Sequence, residues 1–293
     1  MKIAVVGSRG QLGTDCSRLL AEKHEVICCN RPQIDIADNT SVDSCIAMIR
    51  PDVVVNCAAY TAVDACEQER ELCRQINTEG ARHLAQAATK YGFRLIHLST
   101  DYVFDGKLRP PKGYTETDCT NPLSEYGKSK LLGEQAVMQH AENKLILRTA
   151  WLYSQHGRNF LKTMLRLALQ NPTRPLSVVN DQYGTLTWSR TLALQIEKLL
   201  DDTLQGVVHA TSEGYCTWFE GACYFLDAMG VRHNLQPCTT KEYPTPAIRP
   251  ANSILNNYRL DQSECSAFCN WQQDIKRFVK ECGKALLEEQ GKG

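Results

Sequence analysis

The chain has 293 residues, and its 33 basic side chains balance its 33 acidic ones. This length suits one large α/β unit or two domains that share a core. Zero net charge gives no whole-chain attraction to nucleic acid or to a membrane surface. No apolar run approaches the roughly 18 residues of a membrane span. The first apolar run, Lys2–Val6, is too short for a signal peptide. The sequence therefore indicates a cytoplasmic protein.

The chain carries 14 cysteines, scattered in apolar or helical contexts. A disulfide framework is typical of small secreted chains, which this is not. Cys265 and Cys269 lack a nearby His or Cys pair that would complete a zinc set. We therefore expect reduced thiols that act as small apolar side chains, and we assign no metal ligands.

A strand, a glycine-rich turn and a helix open the chain. Lys2–Val6 is apolar, and Cys16, Leu19 and Leu20 continue at helical spacing after the turn. Small residues let the backbone approach a pyrophosphate, and a helix N-terminus supplies free N–H groups and a positive dipole end. After the first strand of an α/β chain, this pattern predicts dinucleotide binding. The cofactor-binding residues predicted in this stretch are Gly7, Arg9, Gly10, Gln11, Leu12 and Gly13.

The predicted second strand, Glu25–Cys29, ends without the acidic residue that bonds the ribose hydroxyl in many NAD-binding proteins. Asn30 and Arg31 stand there instead, and Arg31 could pair with a 2′-phosphate. This favours NADPH over NADH, although a solvated loop arginine would give the same sequence. Asp35 and Ile36 are predicted to line the adenine pocket.

Small residues and polar side chains follow the next two predicted strands. Asp52–Asn56 contains three consecutive valines, a pattern typical of a parallel strand that is buried on both faces. A long helix is predicted over Glu67–Tyr91, and a fourth strand, Arg94–Leu98, ends at Ser99 and Thr100. Ligands of such sheets bind at the carboxyl ends of the strands. Further cofactor-binding residues are therefore predicted here: Ala58, Ala59, Tyr60, Asn77 and Ser99.

A long loop, Asp101–Thr120, leads to a helix that carries Tyr126 and Lys130. Long loops in compact domains are often functional. Side chains four residues apart lie on one helix face. An ammonium close to a phenol favours the phenolate, so we expect Lys130 to lower the pKa of Tyr126 from about 10 toward working pH. Tyr126 would then be a usable proton donor or acceptor. Alone, this spacing usually marks a surface pair.

The regular alternation of strands and helices loosens after a fifth strand, Lys144–Leu147. The fold class predicted is α/β, a Rossmann-type doubly wound parallel sheet with a smaller, mostly C-terminal substrate-binding domain. We expect the Rossmann domain over residues 1–150, with segments near 175–210 re-entering it, and the substrate domain mainly over 151–293. The later elements predicted are helices Asn159–Gln170, Ser189–Leu200, Trp218–Met229 and Trp271–Glu288, strands Leu176–Val179 and Gly206–Ala210, and an irregular segment at Pro237–Pro250.

Two segments after strand ends are distinctive: Ala58–Asp64 (Ala-Ala-Tyr-Thr-Ala-Val-Asp) and Ser99–Phe104 (Ser-Thr-Asp-Tyr-Val-Phe). With the glycine turn and Tyr126-x-x-x-Lys130, they resemble the extended short-chain dehydrogenase/reductases. More narrowly, they resemble the dTDP-4-dehydrorhamnose reductase family. The likeness extends over nearly the whole chain and includes Arg148–Tyr153, Asp181–Thr187 and Arg249–Leu255.

The resemblance implies a reaction. NADPH, with NADH as an alternative, would give a hydride to C4 of dTDP-4-dehydro-L-rhamnose. Tyr126 would give a proton to the forming alkoxide, and Lys130 would stabilise the phenolate and hold the nicotinamide ribose. Thr100 would hydrogen-bond to the keto oxygen. Ser99 is expected to face the cofactor.

The resemblance also implies a site for the dTDP-sugar. Trp151 would pack on the sugar ring. Asn159, Arg249 and Asn252 would hold the diphosphate and nucleoside, and the planar fork of Arg249 suits phosphate oxygens. The other substrate-binding residues implied are Thr61, Val63, Thr100, Asp101 and Tyr102.

The chain departs from the family pattern at two places. Leu186-Thr187 stands where Pro-Thr is usual, and Ser124-Glu125 stands where an asparagine and an apolar residue are usual. Both changes touch loops near the pocket. In some relatives acidic side chains bind magnesium at a dimer contact. Asp15 is a candidate for such a contact, so the resemblance allows magnesium and a homodimer without fixing either.

Two other functions fit the same fold. A nucleotide-sugar epimerase or dehydratase keeps NAD bound, uses a further acid or base, and often carries an acid after the second strand. Asn30-Arg31 and Thr100-Asp101 argue mildly against that function. A non-catalytic regulatory subunit, such as that of methionine adenosyltransferase, would not need the intact catalytic threonine, tyrosine and lysine.

Overall fold

The computed structural model describes residues 1–290. Its strands are β1 (Lys2–Val6), β2 (Glu25–Cys29), β3 (Val53–Asn56), β4 (Arg94–Thr100), β5 (Lys144–Thr149), β6 (Leu152–Tyr153), β7 (Leu176–Val179), β8 (Tyr183–Gly184), β9 (Thr187–Trp188), β10 (Gly206–His209), β11 (Cys216–Thr217) and β12 (Leu235–Cys238). Its α-helices are α1 (Gln11–Leu20), α2 (Asn39–Ile49), α3 (Val63–Cys66), α4 (Arg70–Arg74), α5 (Gly80–Tyr91), α6 (Glu125–His140), α7 (Phe160–Gln170), α8 (Ser189–Leu199), α9 (Trp218–Ala228), α10 (Tyr258–Ser263) and α11 (Trp271–Gln290).

Six parallel strands form the main sheet, in the order β10-β5-β4-β3-β1-β2. The chain starts at β1, moves outward to β2, and then crosses to β3 on the other side. Ligands of doubly wound sheets bind outside the carboxyl ends of the strands at such a reversal. The predicted fold class is confirmed, and the glycine turn after β1 lies at this reversal.

Both faces of the sheet are buried, because successive side chains of a strand point to opposite sides. Ile3 and Val5 pack with α1 and α8 on one face. Ala4 and Val6 pack with α2, α5 and α6 on the other. This explains why β1 and β3 are continuously apolar rather than alternating.

A separate apolar cluster lies among α7, α9 and α11, where Leu161, Phe225 and Phe278 are fully buried. The short pair β7 and β12 contributes to this cluster. In contrast, β10 is a strand of the main sheet, and α8 packs on one face of that sheet. Substrate sites often form where two such units meet. The division at residue 150, with re-entry near 175–210, stays a prediction.

Two predicted elements differ in the structure. The helix expected over Glu67–Tyr91 is interrupted by a π-helical stretch, Gln75–Glu79, which joins α4 to α5. Such stretches occur often at functional sites. The segment expected to be irregular from Pro237 begins inside β12, which pairs with β7 alone. Proline is tolerated there because the strand is an edge.

Candidate active site

The glycine turn lies directly against the chain that follows β3. Gly7 has a φ of +77°, and a Cβ on it would meet the Ala58 nitrogen at 2.7 Å. A Cβ on Gly13 would lie 2.1 Å from the Gly7 carbonyl oxygen, whereas the closest atom to one on Gly10 is 3.4 Å away. Two of the three glycines are therefore required by the packing of the turn itself.

The first turn of α1 opens toward a cavity of about 320 Å³. Gly10 is the N-cap, and no side chain caps the helix, so its first N–H groups are available to an anion. The predicted cofactor residues that line this cavity are Gly7, Gly10, Asn30, Arg31, Asp35, Ile36, Ala58 and Ala59. Ile34, Cys57 and Ile76, which the sequence did not single out, also line it.

The end of β2 is tied to the glycine turn. Asn30 Oδ1 accepts a hydrogen bond from the Arg9 backbone at 3.0 Å. Arg31 Nη2 donates to Asp35 Oδ1 at 2.9 Å, and the Arg31 side chain is 62% exposed. An exposed pair of this kind is weak, so Arg31 can exchange Asp35 for a phosphate at little cost.

Two other predicted cofactor residues form internal contacts. Asn77 Oδ1 accepts from the Tyr60 nitrogen at 2.8 Å, and its Nδ2 donates to the Tyr60 carbonyl at 3.0 Å. The side chain of Asn77 is thus used to hold the chain after β3. Leu12 is buried in the core beneath the sheet, so only its backbone faces the turn.

The expected orientation of Ser99 is wrong. Its hydroxyl donates to Glu134 Oε1 at 2.5 Å rather than facing the cofactor. Glu134 also forms a bidentate ion pair with Arg148, at 2.9 and 2.7 Å, and both side chains are buried. The Ser99 hydroxyl is therefore part of a buried polar cluster between β4, β5 and α6.

Thr100 and Tyr126 are brought together by β4 and α6. Thr100 Oγ1 lies 3.0 Å from Asp101 Oδ1 and accepts from the Tyr102 nitrogen at 3.2 Å. Ser124 caps α6 by accepting from the Gly127 nitrogen, so Tyr126 occupies the first turn. The Tyr126 ring packs edge-on against Tyr102, with 5.7 Å between centroids. Tyr102 therefore holds Tyr126 in place.

The expected lowering of the Tyr126 pKa is wrong. Burial raises the pKa of Tyr126 above its usual value, and the nearby Thr100 hydroxyl opposes this rise only in part. Burial lowers the pKa of Lys130 to about 8, and Lys130 Nζ donates to the Leu98 carbonyl at 2.6 Å. Desolvation thus has the largest effect on both side chains, and Tyr126 remains protonated at neutral pH.

A second cavity, of about 560 Å³, lies on the other side of Tyr102. The predicted substrate residues that line it are Thr61, Val63, Tyr102 and Arg249. The guanidinium of Arg249 forms a fork with both oxygens of Asp64, at 3.1 and 2.9 Å. Thr100 and Asp101 are buried behind Tyr102 and do not line this cavity.

Trp151 is not among the residues that line the cavity. Its ring stacks on Trp218, with centroids 3.5 Å apart and planes 9° apart. Gly184 packs directly against the Trp151 ring. A side chain would not fit there, because a Cβ on Gly184 would lie 2.4 Å from Trp151 Cε2. Trp218 therefore lines the cavity, and Trp151 stacks on Trp218 without lining the cavity itself.

The side chains of Asn159 and Asn252 form hydrogen bonds within the protein. Asn159 caps α7 by accepting from the Lys162 nitrogen at 3.0 Å, and it donates to Gln11 at 3.1 Å. Asn252 is buried and donates to the carbonyls of Leu108 and Lys112. It therefore anchors the long loop after β4.

Several cavity residues were missed because their sequence neighbourhood predicts only core helices or strands. Most of them come from α7, β7, α9 and the segment before Arg249, which no single motif joins. Asp64 on α3 and Gln182 between β7 and β8 lie instead within segments that carry the family resemblance, which did not assign them a role. The missed residues are Asp64, Phe160, Thr163, Met164, Ser177, Val178, Val179, Gln182, Trp218, Tyr243 and Thr245.

The departures from the family pattern are accommodated locally. Ser124 serves as the cap of α6, and Leu186 packs against Gly221 in the C-terminal cluster.

Asp15, the magnesium candidate, accepts hydrogen bonds from Ser154 and Ser189. Within residues 1–290, no three His, Cys, Asp or Glu side chains are grouped to hold a metal ion. In the same range, no helix is long and apolar enough to cross a membrane.

The sheet, the glycine turn, Thr100 at a strand end and the Tyr126–Lys130 helix define the class: an NAD(P)-dependent oxidoreductase of the extended short-chain dehydrogenase/reductase type. The family described as RmlD substrate binding domain matches residues 1–283. The chain therefore belongs to that family.

Relatives of known function support this membership. The chain is 38% identical over 296 residues to the dTDP-4-dehydrorhamnose reductase of Escherichia coli (strain K12), covering 96% of this chain and 98% of that one. It is 36% identical over 285 residues to the spore coat polysaccharide biosynthesis protein SpsK of Bacillus subtilis (strain 168), covering 97% and 99%.

Solved structures agree with the fold. The dTDP-4-dehydrorhamnose reductase of Clostridium acetobutylicum superposes with a TM-score of 0.92 at 39% identity, covering 96% of this chain and 99% of that one. The enzyme of the same name from Bacillus anthracis, in complex with NADP, gives the same TM-score at 36% identity and the same coverage. A UDP-glucose 4-epimerase from Thermus thermophilus, at 20% identity, shares the fold only.

Proposed function

We propose that the protein reduces the C4 keto group of dTDP-4-dehydro-L-rhamnose with NADPH, giving dTDP-L-rhamnose. One observation carries this proposal: Tyr126 packs edge-on against Tyr102, and Tyr102 lines a cavity that also contains Arg249. A proton donor beside a pocket with a phosphate-pairing guanidinium suits a sugar nucleotide. Relatives named for this reaction extend over almost the whole chain.

The residues around the first cavity fit NADPH. Gly7 and Gly13 leave no room for a side chain, and the uncapped start of α1 offers N–H groups to a pyrophosphate. Arg31 would pair with the 2′-phosphate after releasing Asp35. The Bacillus anthracis relative is a complex with NADP. When bound, NADPH supplies the hydride.

Tyr126 would give its proton to the oxygen that becomes an alkoxide. Its raised pKa keeps the phenol protonated until that charge develops. Lys130, with a pKa of about 8, is mostly charged at neutral pH and would stabilise the phenolate that remains. Thr100 would donate a second hydrogen bond to the same oxygen. Together these groups stabilise the charge that appears only in the transition state.

Arg249 would hold the diphosphate. Its fork now pairs with Asp64, whose side chain is 42% exposed, so a diphosphate could replace that carboxylate. Trp218, rather than Trp151, would bound the sugar or nucleoside. We also propose that residues 151–293 supply most of this pocket. The resemblance further suggests a homodimer.

A spectrophotometric assay of NADPH oxidation tests the proposal. Purified protein is mixed with NADPH and a panel of keto-sugar nucleotides that differ in sugar and in base. We expect NADPH absorbance to fall fastest with dTDP-4-dehydro-L-rhamnose, with dTDP-L-rhamnose as the product by chromatography. No loss of NADPH with verified substrate would refute the proposal. Faster turnover of a uridine nucleotide would refute the base assignment.

A further inference from the structure

The carboxyl of Asp101 is buried without a counter-charge. Asp101 is 2% exposed, and its Oδ2 has no hydrogen-bond partner within residues 1–290. The buried or half-buried arginines near the site are paired elsewhere, Arg148 with Glu134 and Arg249 with Asp64. Burial of an ionised carboxylate without a partner is costly, so this position favours the neutral acid.

Asp101 shares a hydrogen bond with Thr100, which has only one proton to donate. Oδ1 of Asp101 and Oγ1 of Thr100 lie 3.0 Å apart, and the Tyr102 nitrogen donates to the same Thr100 oxygen. An ionised Asp101 can only accept, so it takes the Thr100 proton. A neutral Asp101 can donate to Thr100, which frees the Thr100 proton for another acceptor.

We propose that Asp101 is a positioning residue whose protonation sets the direction of the Thr100 hydrogen bond, and that the neutral form is the active one. In that form the Thr100 hydroxyl points its proton at the substrate keto oxygen, where negative charge develops. In the ionised form the same hydroxyl is turned away. This inference rests on the proposed function for its kinetic consequence, but not for the state of the carboxyl.

Burial raises the pKa of Asp101 to about 6, and the nearby hydroxyls of Ser253 and Thr100 oppose this rise. The neutral form therefore predominates below about pH 6 and is lost above it. The other titratable groups around Asp101 are Tyr102 beside it and Tyr126 on α6. Further out, the Arg249–Asp64 ion pair acts on Tyr102, and Cys66 on α3 acts on Tyr126.

None of these neighbours is expected to titrate near pH 6. Burial raises the pKa values of Tyr102, Tyr126 and Cys66. Arg249 lowers the pKa of Asp64 below its usual range. Lys130 on α6 has a pKa of about 8, so it titrates at higher pH than Asp101. A fall in rate centred near pH 6 in the wild-type protein can therefore be assigned to Asp101 and tested by replacing it.

The first test is the pH dependence of single-turnover reduction in Asp101→Asn. The Asn amide cannot ionise but can donate to Thr100. For the wild-type protein, a pKa of about 6 predicts that the rate falls about 25-fold from about pH 5.5 to about pH 7.5. We expect the variant to change by less than about twofold over this range. An unchanged fall in the variant would overturn the proposal, and so would a flat wild-type profile.

The second test is Ser253→Ala, which keeps the carboxyl. Ser253 stabilises the ionised form, so its loss should move the fall in rate to higher pH, because the neutral form persists longer. A shift to lower pH, or none, would contradict the proposal. This test stands even if Asp101→Asn does not fold.

A third measurement needs no activity. In ligand-free protein labelled with ¹³C at aspartate carboxyls, one resonance should titrate near pH 6 and be absent in Asp101→Asn. Its absence in the wild-type spectrum would overturn the proposal. If that resonance titrates but no substrate is reduced at any pH, the proposed function fails while the assignment of the neutral acid stands.

Discussion

Gly13 and Gly10 should fail in different ways when each is replaced by alanine. A Cβ on Gly13 would lie 2.1 Å from the Gly7 carbonyl oxygen and 2.7 Å from the Ser8 Cα. The first distance is about 1.3 Å short of ordinary contact with a backbone atom that has no freedom to rotate away. α1 must therefore shift, and overpacking of this kind costs about 1–3 kcal/mol. For a chain of this size, each kcal/mol lowers Tm by roughly 2–4 °C.

Gly10 is the matched control. A Cβ on Gly10 meets its nearest atom at 3.4 Å, and its φ of −74° suits alanine. We expect Gly10→Ala to change the free energy of unfolding by less than about 0.5 kcal/mol. The added methyl lies at the start of α1, where the pyrophosphate would bind, so the Kd for NADPH should rise at least about tenfold.

Thermal unfolding and fluorescence titration with NADPH separate the two effects. Gly13→Ala should unfold at a lower temperature, whereas Gly10→Ala should unfold normally and bind NADPH weakly. Equal stability for both variants would refute the packing account of Gly13. Normal NADPH affinity in Gly10→Ala would refute the assignment of the first cavity to the cofactor.

Three further predictions follow from the same contacts. Tyr126→Phe should lower kcat at least about a hundredfold with little change in Tm, since only the proton donor is lost; near-normal turnover would remove Tyr126 from the reaction. Arg31→Ala should raise the KM for NADPH more than that for NADH, because Arg31 would read the 2′-phosphate; equal losses would contradict this. Glu134→Gln should destabilise the protein by about 3–5 kcal/mol in urea unfolding, because Arg148 would be left buried and unpaired; a loss below about 1 kcal/mol would show that Arg148 finds another partner.

The strands of the main sheet could be predicted because their signals are local. A strand buried on both faces is a continuous apolar run, and β1, β2 and β3 begin and end within one residue of the predicted bounds. The glycine turn could be predicted equally well, since both its spacing and its place after β1 are visible in the sequence. The π-helical stretch at Gln75–Glu79 was not, because the contacts of its side chains, such as that of Asn77 with Tyr60, are tertiary and have no local sequence signal.

The pocket was harder to predict because its walls come from distant parts of the chain. Trp151 and Trp218 are 67 residues apart in the sequence numbering, yet they stack, and only the outer one meets the cavity. Asn159 and Asn252 are polar residues in loops, where sequence cannot separate a ligand contact from a helix cap or a loop anchor. The partner of Ser99 could not be predicted either, because Glu134 lies 35 residues further along the chain and meets Ser99 only through the packing of α6 on β4.

The pKa of Tyr126 shows a limit of a different kind. The spacing of Tyr126 and Lys130 predicts attraction between their charged forms, but not how much water each loses. In the structure desolvation dominates, so Tyr126 is an acid that holds its proton rather than a preformed phenolate. The protonated phenol is the form that can donate to a developing alkoxide.

Transfer of a labelled hydride tests the central claim most directly. The protein is given NADPH that carries deuterium at the transferable position of the nicotinamide, together with dTDP-4-dehydro-L-rhamnose. We predict a dTDP-L-rhamnose product with one deuterium at the sugar C4, located by mass spectrometry and NMR, and no label in the solvent. Product without deuterium at C4, or label at another carbon, would contradict direct reduction of the C4 keto group by this protein.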